Sequence, residues 1–183
     1  MLLMTPMLIG LAAAKSPVAD VAMVIHMANT EAVPARALRQ GEIFAAAILA
    51  RAGVRVEWVD CSVEGCAAVH GFWMQFVERR PSGLHTETAG YAVLYPAAEG
   101  TSGYAVVAWR PVEAAAAGHI DAGLLLGATM AHEIGHLLLG GDAHSLNGVM
   151  VPRFRRREME MAARGELGFT DDQVKRIRAA LRQ

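Results

Sequence analysis

Two histidines and a glutamate interrupt an otherwise apolar stretch between Leu124 and Leu139, and this stretch constrains the fold of the 183-residue chain more than any other. It is rich in Leu, Ala and Met, which favour helix. Asp121 before it and Gly140-Gly141 after it supply a start and a stop. In such a helix His132 and His136 fall four residues apart on one face, with Glu133 beside them. A helix this apolar is a core element. Burying three polar side chains in it without partners costs on the order of several kcal/mol, so the segment demands a partner for them.

A metal ion is the partner that both imidazoles can share. H-E-x-x-H on a helix is the spacing in which two histidines hold zinc while the glutamate acts as general base. A catalytic zinc keeps three protein ligands and one open position. The third ligand must come from beyond the helix, where the glycine pair lets the chain turn back. His144 is the favoured candidate, because imidazole completes a three-histidine set that suits zinc. Asp142 is the alternative within the same loop, and Glu158 or Glu160 are the alternatives on a following helix.

From Ala131 to Met150 the text resembles the metzincin metallopeptidases, whose motif is H-E-x-x-H-x-x-G-x-x-H or a variant ending in Asp. Here Leu139 stands in the family's glycine position and Asp142 in its third-ligand position, while Gly140 and His144 come one and two residues later. The chain therefore reads H-E-x-x-H-x-x-x-G-x-x-x-H. The resemblance implies a zincin-like α+β fold, with a small mixed sheet packed against the motif helix and further helices after it. It also implies that Met150 lies in a turn beneath the metal. By the same resemblance the strand from Gly103 to Trp109 is the expected platform for an extended substrate. Residue type alone leaves His85, Tyr91, Tyr95 and Tyr104 as candidates to polarise its carbonyl, with no choice among them.

The remaining elements follow from local signals. Val18 to Met27 suits a buried strand, and Glu31 to Ala52 suits a helix with Pro34 in its first turn. Val54 to Val59 alternates as a strand does. Gly90 to Tyr95 and Gly103 to Trp109 read as a hairpin that Pro111 ends, and Thr170 caps a last helix from Asp171 to Leu181. No composition break divides the chain, so residues 15–183 are expected to form one zincin-like metallopeptidase domain.

More than half of the residues are apolar and the formal net charge is -1, which excludes a disordered chain and gives no reason to expect nucleic acid as a partner. Nine of the seventeen Lys and Arg fall between Arg153 and Gln183. Glu158 and Glu160 lie among them, so that run reads as a solvated helix face. Residues 1–14 are uncharged and end in three alanines, the pattern of a signal peptide cleaved after Ala14, and too short to span a bilayer at ~20 residues. Cys61 and Cys66, the two cysteines, fit a small disulfide loop if the chain is exported, secreted or periplasmic, and free thiols if it is cytoplasmic. The sequence thus predicts a zinc metalloendopeptidase that hydrolyses peptide bonds with Zn2+, a metal-activated water and Glu133 as base. Peptides or proteins are the expected substrates, and no stable membrane insertion is expected. The alternative is an inactive zinc-binding protein that recognises a partner.

Overall fold

A computed structural model describes residues 21–29, 32–62, 66, 71–80, 89–97, 100–141 and 143–181. The signal-peptide reading of residues 1–14 lies outside them, as do Asp142 and His85. The described elements run β1 (Val21–Asn29), α1 (Ala35–Ala52), β2 (Val54–Asp60), β3 (Phe72–Val77), β4 (Gly90–Ala97), β5 (Gly100–Ala108), α2 (Trp109–Ala116), α3 (Ala122–Leu139), α4 (Arg156–Ala163) and α5 (Asp171–Ala180). Among the described residues this is an α+β arrangement of one mixed sheet and five helices.

The strands lie in the order β2-β1-β3-β5-β4. β1 pairs in parallel with β2 and β3, and β3 in parallel with β5. β4 runs antiparallel to β5, from Gly90 opposite Val107 to Ala97 opposite Gly100. This is the expected hairpin, and its outer strand is one of the sheet's two edges among the described residues. β5 has a neighbour on each side, so its backbone groups are already paired. The expectation that the Gly103–Trp109 strand receives substrate is therefore corrected: among the described residues the edge strands are β4, the neighbour of β5, and β2. Trp109 is also not in the strand. It opens α2, and Pro111 sits in that helix's first turn, where a missing N–H costs nothing.

Alternation along the strands decides what each face meets. Met23, Ile25 and Met27 of β1, Met74 and Phe76 of β3, and Ala105 and Val107 of β5 are buried against the helices. α1 and α3 cover that face, and α3 is the central core helix, with Leu126, Ala128, Met130, Ala131 and Ile134 wholly buried. The polar motif of α3 is thus carried on an element held from both sides. The side chains of opposite parity, including Val24, His26 and Trp73, point to the other face of the sheet.

Candidate functional site

α3 begins at Asp121, whose Oδ1 accepts the Gly123 N–H at 2.8 Å. It ends at Gly140, where φ of +90° turns the chain back along the helix it has just left. The motif residues occupy its last two turns. His132 is 9% exposed and Glu133 4%, whereas His136 is half-buried and His144, in the returning loop, is exposed.

The three imidazoles converge. His136 Nε2 lies 3.1 Å from His132 Nε2 and 3.2 Å from His144 Nε2, and one ring nitrogen from each residue lies within 4.8 Å of the others. The Nδ1 of His132 donates to the Val149 carbonyl at 2.9 Å, and that of His136 to Gly140 at 3.4 Å. With the protons placed there, the Nε2 atoms of both rings present lone pairs to one another, and two acceptors so close need a cation between them. Burial, reinforced by the neighbouring imidazoles, lowers the pKa of His132 to about 4, and burial also lowers that of His136. Both are neutral at neutral pH, the form that binds metal. The donor set fits a divalent ion held by three nitrogens.

Glu133 completes the constellation. Its Oε2 is buried with no hydrogen-bond partner, and burial raises the carboxyl pKa to about 8. A Cβ on Gly90 would lie 2.7 Å from Glu133 Oε1, so the first residue of β4 must be glycine for the strand to pass the carboxylate this closely. The Glu133 carboxyl is thereby wedged between the motif helix and β4.

The loop from Gly140 to Met150 is anchored at three points. A Cβ on Gly135 would collide with Met150 Sδ and lie 2.9 Å from the Phe169 ring. Met150 is fully buried and packs against the motif helix at Gly135. The Met150 carbonyl accepts the Ser145 N–H at 2.9 Å. The third anchor is Gln173 of α5, buried, whose Nε2 donates 2.9 Å to the carbonyl of Ala143, the residue before His144. Nothing in the sequence pointed to Gln173 as part of the site, since it lies 30 positions from its partner. The one available signal, its capping box with Thr170, concerns its own helix.

Other candidates fall away from the centre. Glu158 is buried but accepts the Arg155 N–H at the start of α4, and Glu160 pairs with Arg156 on the surface. Neither joins the three histidines. Arg156–Glu160 and Arg164–Glu166 pairs make the basic run a solvated face, as its composition implies. Tyr91 borders the site, and its ring meets Tyr104 edge-on at 6.1 Å. Tyr95 and Tyr104 are not among the lining residues.

Beside the histidines opens a cavity of about 360 Å3. Pro111, Val112 and Ala115 of α2 form one wall, and Leu125, Phe154 and Met159 another. The Phe154 ring stands edge-on to His132 at 6.0 Å. The pocket is therefore lined by apolar side chains together with the imidazoles and the Glu133 carboxyl.

No family model and no curated protein matches the chain. Among solved structures it is similar to metalloproteinase-II from Bacteroides fragilis, with a TM-score of 0.53 at 13% identity over 92% of this chain. This is a metalloproteinase-like fold. The match takes in 54% of the metalloproteinase, so the chain spans about half its length. At this identity the likeness is one of fold, and the chemistry of the metalloproteinase-like fold here rests on the histidines and Glu133.

Proposed function

We propose that the chain is a zinc-dependent endopeptidase. The observation that carries this reading is Glu133: a buried carboxyl with an unpartnered oxygen, set beside three converging imidazoles. A closed structural metal site would have no use for such a group, because four protein ligands complete it. His132, His136 and His144 would hold the ion and leave one position open.

A bound zinc supplies Lewis acidity, bringing the pKa of a coordinated water toward ~7 and polarising the scissile carbonyl. The chain's own groups do the rest. Glu133 takes the proton from the attacking water at Oε2 and hands it to the leaving amine. The Nδ1–H of His132, fixed on the Val149 carbonyl, holds the ring so that Nε2 faces the centre. β4, starting at Gly90 against Glu133, offers its free edge to an extended peptide, which main-chain hydrogen bonds would align across the base. The apolar cavity walled by Val112, Leu125 and Met159 would take an apolar side chain next to the cleaved bond. The Cys61–Cys66 disulfide supports an exported setting, secreted or periplasmic, for this activity.

The test is Glu133→Gln in the full chain, assayed on a mixture of unstructured peptides. Cleavage is expected to drop by at least about two orders of magnitude while one zinc stays bound. Undiminished cleavage would remove Glu133 from the mechanism. Zinc bound by the native chain without turnover of any peptide would favour the partner-recognition alternative.

A further inference from the structure

At the other end of the sheet from β4, the structure places a second set of metal-binding side chains that the peptidase reading does not use. Cys61 follows β2 directly, and its N–H donates to the Met27 carbonyl of β1 at 2.8 Å. That bond carries the Cys61 sulfur across to β1, where Sγ lies 3.8 Å from His26 Nδ1. His26 points away from the core face, and its ring stacks on Trp73 with centroids 4.9 Å apart. Cys66 is bonded to Cys61, with a Cα–Cα separation of 5.1 Å. The ligand atoms of His26, Cys61 and Cys66 all lie within 4.8 Å of one another.

We propose that His26, Cys61 and Cys66 form a redox-gated metal site, shut by the disulfide when oxidised and open to a thiophilic divalent cation such as zinc when reduced. Two thiolates on a tetrahedral zinc sit roughly 3.8 Å apart, and a thiolate and an imidazole roughly 3.6 Å, given the usual bond lengths of ~2.3 and ~2.0 Å. The observed 3.8 Å between Cys61 and His26 already approximates one edge of that tetrahedron. Reduction need not disturb this edge. Besides the Cys61 N–H bond, Asn29 donates to Ser62 Oγ and Ser62 to Asp60 Oδ1, each at 2.8 Å, so the chain around Cys61 is held without the disulfide. Only Cys66, in the loop, has to move outward.

The step balances. An external dithiol gives two electrons and two protons to the S–S bond and becomes a disulfide itself. The cation then displaces the two thiol protons, which pass to solvent. Two sulfurs and one imidazole make a soft donor set that prefers zinc to magnesium or calcium, and the fourth position is left to water. The connection between β2 and β3 is thereby stapled in either redox state, by a covalent bond or by a metal.

Cobalt titration of the full chain tests this, oxidised or reduced with a phosphine that is then removed. The readout is thiolate-to-cobalt charge-transfer absorption, which three histidines cannot produce, so it is independent of the peptidase site and of whether that reading stands. The reduced chain is expected to show the band and to take up one equivalent of cobalt more than the oxidised chain, which shows none. His26→Ala should weaken cobalt binding at this band by at least about tenfold, since loss of even an outer-shell partner costs that much. Cys66→Ser, a change in the loop rather than the sheet, should weaken it as strongly. No band in the reduced native chain would overturn the proposal, as would equal affinity in the native chain and both variants.

Discussion

Glu133 is a carboxyl group in a place where a carboxylate is costly, and that cost has a measurable sign. In the metal-stripped chain burial raises its pKa from 4.5 to about 8. Between these values the folded state holds a proton that the unfolded state has lost, so stability falls as pH rises through the window. His132 works the opposite way: its pKa drops from 6.5 to about 4, so stability rises with pH between those values. The two trends oppose each other below pH 6.5, and only the glutamate acts above it. Urea unfolding of the metal-stripped chain should show a loss of stability between pH 6.5 and 8, about 1.5 kcal/mol. Glu133→Gln should abolish that loss. Parallel curves for the two proteins would mean that the carboxyl is not desolvated. A nearby dication favours the carboxylate and would restore the base that hydrolysis needs.

At the scale of elements, the site depends on how α3, the loop after it and α5 are fastened together. Gly135 has no side chain because Met150 occupies the space. Gly135→Ala should therefore cost about 1–3 kcal/mol by overpacking, read as a lower denaturation midpoint. An unchanged midpoint would show that Met150 can step aside. Gln173→Glu is a second probe, since a glutamate still caps α5 but offers no N–H to the Ala143 carbonyl. It should lower zinc affinity about 10- to 100-fold and, by leaving a buried carbonyl facing a carboxylate, cost about 1–3 kcal/mol of stability; affinity equal to the native chain's would free the loop from Gln173. What was legible in the sequence follows from the same distances. His132, Glu133 and His136 share one helix, so their geometry is local and their spacing encodes it. His144 follows within a short loop, and the chemistry of a third imidazole sufficed to favour it over Asp142. Gln173, the edge position of β4 and the pairing of His26 with Cys61 are products of tertiary contact, for which no local pattern exists. β3 and α2 escaped for another reason: Phe72–Val77 has no clean alternation, and Pro111 reads as a terminator although it suits a helix's first turn.

Across the whole molecule, the three converging histidines join the core helix to the C-terminal third of the chain, because His132 and His136 stand on α3 while His144 lies in the loop fastened to α5. A ligand bound by the folded chain alone stabilises it in proportion to the logarithm of its concentration over Kd. Chelation should therefore lower Tm, and readdition of zinc should restore it. Ala115→Trp, which fills the cavity from α2, should suppress cleavage beside large apolar side chains while leaving zinc affinity intact. Equal cleavage would locate the specificity pocket elsewhere. The central claim, that three histidines hold a zinc which Glu133 puts to work on peptide bonds, is tested most directly by titrating zinc into the stripped, disulfide-intact chain and following peptide cleavage. The rate should rise from zero and saturate at one equivalent, while Glu133→Gln binds the same equivalent and stays inactive. Cleavage that does not depend on zinc, or zinc bound at one equivalent by a native chain that cleaves nothing, would contradict it.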